Sequence, residues 1–166
     1  MMVNYSWQRK VISVSDLQEL AKKRGSELWC MTNGCFDIIH SGHVAFLQQS
    51  KFYVGSVGKL IVCLNTDRSV REIKPGRPYN SFPERSTTLS ALEGVDYIVP
   101  IESSDDLCKI VKSVKPEYYT KSGKMSTDKP FQMEKEEIEK VVDRYLFVPQ
   151  MFYTSTSALV DKIKTS

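Results

Sequence analysis

Thr32-Asn33-Gly34-Cys35-Phe36-Asp37-Ile38-Ile39-His40-Ser41-Gly42-His43 decides how the rest of this 166-residue chain is read. The apolar run Leu28, Trp29, Cys30 and Met31 delivers the stretch, and apolar Val44, Phe46 and Leu47 follow it ahead of polar Gln48, Gln49 and Ser50. That is the pattern of a strand, a tight loop and a helix, with both histidines in the helix's first turn. Free backbone N–H groups and the positive end of the helix dipole meet there, which suits an anion such as phosphate. His40 and His43 stand three residues apart, so they share a helix face and can aim two imidazoles at one group of atoms. Gly34 and Gly42 remove side chains where a nucleotide needs close backbone approach. The chain has no other histidine.

The length fits one domain with a substantial core. The predicted organisation is a single domain over residues 1–166, with an N-terminal helical extension (1–27) and a Rossmann-like core (28–166). A formal net charge of +3 suits small anionic substrates and falls short of the basic surface of a nucleic-acid binder. Apolar runs are too short to span a membrane and the N-terminus lacks a signal-peptide core, so a cytoplasmic protein is expected, away from membranes. Cys30, Cys35, Cys63 and Cys108 fall singly, without a C-x-x-C pair. Reduced thiols are expected rather than disulfides or a metal site. Cys35 reads as a small packing residue of the loop, not as a nucleophile.

Outward from the histidines, Val14 to Gly25 has helical spacing, with Ser15 or Asp16 as cap. Lys59 to Asn65 is a nearly continuous apolar run, as expected of a strand buried on both faces. Asp67 opens a short helix. Lys74 to Pro83 is loop, rich in proline and glycine. A helix is predicted over Glu84 to Leu92, a strand over Val95 to Ile101, and a helix opened by Asp105 and Asp106. Tyr118 to Lys121 reads as a strand, Ser122 to Pro130 as a polar loop, Glu134 to Arg144 as a charged helix and Tyr145 to Val148 as the last strand. Ser155 or Thr156 then caps a C-terminal helix. This alternation predicts an α/β domain, a Rossmann-like central parallel sheet of about five strands flanked by helices. Ligands bind at the carboxyl ends of such strands, near the point where strand order reverses. The loops at Thr32–His43, Asn65–Arg71, Lys121–Met125 and Phe152–Ser157 should converge there.

Three further clusters suit a polyphosphate. Lys74 and Arg77 lie in a loop and Arg85 opens the next helix, where cations can clamp leaving phosphates or a phosphorylated acceptor. Lys121 ends a strand close to Gly123. Thr154, Ser155, Thr156 and Ser157 offer hydroxyls and N–H groups at a helix start.

From Gly34 to His43 the chain matches G-x-F-D-x-x-H-x-G-H and so resembles the nucleotidyltransferase superfamily. More of the chain is similar to the adenylyltransferase domain of bifunctional heptose-phosphate synthesis enzymes. Its motifs recur in order as Thr32–Asp37, Asn65–Val70, Gly76–Asn80, Glu84–Ser86, Ala91–Tyr97, Lys121–Gly123 and Ser155–Ser157.

The resemblance implies transfer of a nucleotidyl group from a nucleoside triphosphate, ATP favoured, to a sugar 1-phosphate, heptose 1-phosphate favoured, releasing pyrophosphate. Mg²⁺ would come with the triphosphate, and no tightly bound organic cofactor or protein-held metal is expected. His40, His43 and Lys74 would be catalytic. Asn33, Gly34, Cys35, Phe36, Asp37, Gly42, Asp67, Lys121, Ser155 and Thr156 would bind the nucleotide, and Arg77, Asn80 and Arg85 the acceptor. Homodimerisation is common in the resembled families.

The chain departs from that family at Lys124, where an acidic residue is usual, and at Tyr153, where glycine is common. Two other readings stand beside this one. One is a cytidylyltransferase for glycerol 3-phosphate or another phosphoalcohol. The other is a nucleotide-binding regulator without turnover, against which intact His40, Gly42 and His43 speak.

Overall fold

The computed structural model describes residues 9–123, 126–152 and 154–165. Lys124, Met125 and Tyr153 lie outside the described residues. In chain order the elements are α1 (Val14–Lys23), β1 (Trp29–Gly34), α2 (Ser41–Phe52), β2 (Lys59–Asn65), α3 (Asp67–Ile73), α4 (Phe82–Ser90), β3 (Tyr97–Ile101), α5 (Ser104–Val114), β4 (Tyr118–Ser122), α6 (Lys129–Glu139), β5 (Arg144–Val148) and α7 (Thr156–Lys164). The five strands form one parallel sheet in the order β3-β2-β1-β4-β5. The α/β fold expected from the alternation of patterns is the fold observed.

Side chains alternate across each strand, so a strand covered on both sides must be apolar at every position. β2 shows this directly. Ile61 and Cys63 join a core with Leu17 of α1, Leu107, Ile110 and Val111 of α5, and Ile138 of α6. Leu60, Val62 and Leu64 join a second core with Phe46 and Leu47 of α2 and Leu89 of α4. Cys30 and Cys63 are free thiols pushed up to about 12 by burial, which keeps them protonated and unreactive.

Helix ends differ in cap or boundary where capping outcompeted the apolar pattern. α1 starts at Val14 as expected, but its cap is Ser13, in a reciprocal capping box with Asp16, and not Ser15 or Asp16. Ser81 and Glu84 make the same box at α4, so the helix starts at Phe82, and Pro83 fits its first turn. α6 starts at Lys129, with Pro130 in its first turn, and ends at Glu139. The charged helix therefore lies five residues nearer the N-terminus than its apolar residues suggested, and Arg144 is already strand. Among the described residues no helix is long and apolar enough to cross a membrane.

β1 is central and has β2 and β4 on either side. Its carboxyl end, from which the Gly34 loop leaves, is thus where the order of the sheet reverses.

Candidate active site

Beyond β1 the chain turns tightly, and Phe36 takes a left-handed conformation with φ of 45°. Its ring folds back over Gly34, where an added Cβ would stand 2.9 Å from Phe36 Cε2. A side chain at 34 would therefore push the Phe36 ring aside. Asp37 follows and is buried. Its carboxylate accepts from the backbone N–H groups of Tyr79 (2.9 and 3.0 Å) and Asn80 (2.9 Å), and Asn80 Nδ2 donates to the Asp37 carbonyl at 2.7 Å. These bonds clasp the loop after α3 onto the loop after β1. Asp37 and Asn80 thereby act on each other and do not line the cleft described below.

His40 is the N-cap residue of α2 and His43 lies in its first turn. The two rings stack with centroids 3.8 Å apart and planes 25° from parallel, and His43 also leans on Phe36 at 5.2 Å. Gly42 makes room for this: a Cβ there would lie 3.1 Å from both Cε1 and Nδ1 of His40. Burial lowers both imidazole pKa values, and His43 is brought down to about 4 by burial first, then by His40 and Lys74. Both rings are therefore neutral at pH 7. The Nδ1 atoms of His40 and His43 are buried with no hydrogen bond of regular geometry among the described residues, although the Ile38 backbone lies close enough to His43 to oppose, as the smallest influence, the fall in its pKa. Orphaned polar atoms of this kind are rare unless something else is to meet them.

Around the histidines lies a cleft of about 210 Å³ lined by His40, Gly42, His43, Lys74, Arg77 and the start of α7 from Thr154 to Ser157 (of its described residues), with Ser122 and Gln150 closing one side. Arg77 reaches across it, donating to Ser157 Oγ at 3.0 Å while its second nitrogen lies 3.9 Å from Asp37. Ser155 caps α7 by accepting from the Ala158 N–H, and the Thr156 hydroxyl faces the Ile38 carbonyl at 3.4 Å. Two helix N-termini, two neutral imidazoles and two cations thus meet. Its described lining residues include no carboxylate. Such a lining offers donors and positive charge to a phosphate and repels little of it. Three larger grooves, of about 560, 550 and 330 Å³, share no residue with this cleft and carry side chains of both signs.

Of the residues singled out in the sequence, His40, Gly42, His43, Lys74, Arg77, Ser155 and Thr156 line the cleft. Arg85 does not. Its guanidinium is fully enclosed, donating to the carbonyls of Asn80 (3.0 Å) and Cys35 (2.6 Å) and to Asp67 Oδ1 (2.7 Å). The acceptor-binding role expected of Arg85 gives way to a structural one, and Asp67 is its counter-ion. Lys121 also turns away, pairing with Glu134 at 2.9 Å and with Asn33 Oδ1. Ser122 falls within the Lys121–Met125 loop expected to converge here but was given no role of its own. Gln150 was not singled out: it stands just after β5, which was the available signal, but carries no charge and belongs to no motif.

A family model described as cytidylyltransferase-like matches residues 31–162. The bifunctional protein HldE of Campylobacter fetus subsp. fetus is 37% identical over 159 residues, 95% of this chain and 32% of that protein. The HldE of Wolinella succinogenes is 36% identical over 166 residues, 96% of this chain and again 32% of its own length. The chain spans about a third of the length of these curated relatives. Among solved structures, the lipopolysaccharide core biosynthesis protein of Thermoplasma volcanium superposes with a TM-score of 0.59 at 26% identity, covering 76% of this chain and 98% of that one. Pantoate-beta-alanine ligase of Francisella tularensis, at 12% identity and a TM-score of 0.60 over 89% of this chain and 68% of its own, shares the fold.

Proposed function

Because this chain belongs to the cytidylyltransferase-like family, we propose that it is a nucleotidyltransferase acting on a sugar 1-phosphate. ATP is the favoured donor and heptose 1-phosphate the favoured acceptor. The observation that carries this reading is the stacked pair His40 and His43 at the mouth of an anion-suited cleft. The motif order from Thr32 to Ser157, and the likeness to a structure named for lipopolysaccharide core biosynthesis, support a sugar-phosphate acceptor.

In this reaction an oxygen of the acceptor phosphate attacks the α-phosphorus of the triphosphate and forms a new P–O bond. The bond from the α-phosphorus to the bridging oxygen breaks, and that oxygen leaves with the electron pair as part of pyrophosphate. No side chain need become covalently attached. The chain's contribution is position and charge. His43 and His40, neutral and fixed by their stack, donate N–H groups to the α-phosphoryl oxygens as negative charge builds there. Lys74 and Arg77 take up charge on the departing phosphates, and Ser155 and Thr156 bind the triphosphate at the start of α7. Mg²⁺ would be held by the phosphates, where it neutralises their charge. The described lining residues supply no carboxylate for it, and both oxygens of Asp37 already accept from the loop.

Pyrophosphate release, with Mg²⁺ present and ATP, CTP, GTP and UTP crossed against heptose 1-phosphate, other sugar 1-phosphates and glycerol 3-phosphate, tests the reading. A signal with ATP and a sugar 1-phosphate is expected. CTP with glycerol 3-phosphate would replace the subfamily. Silence across the panel with nucleotide still bound would favour a regulator without turnover.

A further inference from the structure

The ladder between β1 and β4 joins only Cys30 to Tyr118 and Met31 to Tyr119, although β1 runs on to Gly34 and β4 to Ser122. Beyond Met31 the two strands are bridged by side chains instead. Thr32 Oγ1 donates to the Thr120 carbonyl at 2.8 Å. Asn33 Oδ1 accepts from Tyr119 Oη at 2.7 Å and from Lys121 Nζ. The parting of the strands opens the crevice where the sheet order reverses, and Asn33 stands at its edge, one residue before Gly34.

An ammonium group can only donate, so Lys121 decides which end of the Asn33 carboxamide faces it. Oδ1 is turned toward β4. Nδ2, with two hydrogens, donates to no described residue. Lys121 is itself held from the other side. Its Nζ lies 2.9 Å from Glu134 Oε1, with side chains only 18% and 8% exposed, and 5.8 Å above the Phe131 ring. Glu134 Oε2 accepts from Ser104 Oγ at 2.9 Å, which anchors the pair to α5. A charge pair this enclosed keeps its geometry only while both members are present. Tyr119 is fully buried, and burial, followed by the charge of Glu134, keeps its hydroxyl protonated and therefore a donor.

We infer that Glu134 and Tyr119 are positioning residues for nucleotide binding. Through Lys121 and Asn33 Oδ1 they hold the Asn33 carboxamide so that Nδ2 is presented to an oxygen of the nucleoside triphosphate at the crevice. The inference rests on the nucleotidyl-transfer reading and adds to it a network that lies outside the histidine cleft. Since these residues do not line that cleft, their effect belongs to ground-state binding of nucleotide and not to the transition state.

Calorimetric binding of MgATP and steady-state kinetics on the wild type, Glu134→Gln, Tyr119→Phe, Asn33→Ala and the double variant Asn33→Ala/Glu134→Gln test it. Glu134→Gln and Tyr119→Phe should each raise Kd and KM for ATP by about three- to tenfold, with kcat within about twofold. The double variant should bind no more weakly than Asn33→Ala, because Glu134 acts through that carboxamide. Glu134→Asp should recover part of the affinity. Tyr119→Phe loses a single oxygen and keeps the ring, so it decides the matter if Glu134→Gln fails to fold. Unchanged Kd in the single variants overturns the inference. So does a Glu134→Gln penalty of full size in the Asn33→Ala background, which is what a general loosening of α6 would give. A wild type that binds none of the four nucleoside triphosphates removes the transferase reading and this inference together.

Discussion

The imidazoles of His40 and His43 lie 3.8 Å apart, centroid to centroid, and each keeps a buried Nδ1 without a hydrogen bond of regular geometry among the described residues. Two stacked, neutral rings with unmet polar atoms are a costly arrangement in a folded protein unless a ligand meets them. Removing one ring should therefore affect turnover far more than folding. His43→Ala is expected to lower kcat by about two orders of magnitude or more while ATP affinity changes less. Pyrophosphate release against calorimetric Kd separates the two, and near-normal turnover would remove His43 from the chemistry.

Burial of the same ring makes stability depend on pH. The folded pKa of His43, about 4, lies below the ordinary value of 6.5, with burial the largest cause and the charges of His40 and Lys74 next. The unfolded chain then takes up the proton first as pH falls. Stability present above pH 6.5 is lost progressively as pH falls toward the folded value and levels off below it. By pH 5 the loss from this residue is on the order of 1–2 kcal/mol. Urea unfolding at pH 7 and pH 5 should show it in the wild type and a smaller loss in His43→Gln. Equal losses in both would mean that the ring is not held neutral by the fold.

Gly42 separates the demands of helix and site. Alanine is the better helix former by roughly 0.5–1 kcal/mol. At this position, however, its Cβ would press on the His40 ring at 3.1 Å. Gly42→Ala should keep or slightly raise Tm while lowering kcat about tenfold through the displaced stack. A parallel loss of Tm and activity would instead mark a backbone constraint.

Arg85 is the reverse case. It donates to Asn80, Cys35 and Asp67 from a fully enclosed position. Lysine cannot reproduce that fork. Arg85→Lys should cost about 3 kcal/mol of stability, seen as a lower urea midpoint. In the fraction that remains folded, KM for the acceptor should change by less than about twofold. A large KM effect at full stability would return Arg85 to the substrate.

The sequence by itself determined the sheet, its parallel alternation and the histidine turn, because these rest on local signals. Apolar runs bounded by turn residues mark doubly buried strands, and a fixed spacing of glycine and histidine marks a loop that opens a helix. It also placed Ser155 and Thr156 at the cleft, since the loops following parallel strands must emerge at one end of the sheet, whereas Lys74 and Arg77 reach the same cleft from the loop after α3. What it could not decide was the direction of long side chains. Asp67 with Arg85, and Lys121 with Glu134, are pairs 18 and 13 residues apart in sequence whose meeting depends on how α3, α4 and α6 pack. A cation near a phosphate motif and a cation bound to a neighbouring carboxylate look alike in the sequence. Only the tertiary structure, by enclosing Arg85 and turning Lys121 toward Asn33 while leaving Lys74 and Arg77 at the cleft, separated the groups that hold the loop together from those that face its ligand.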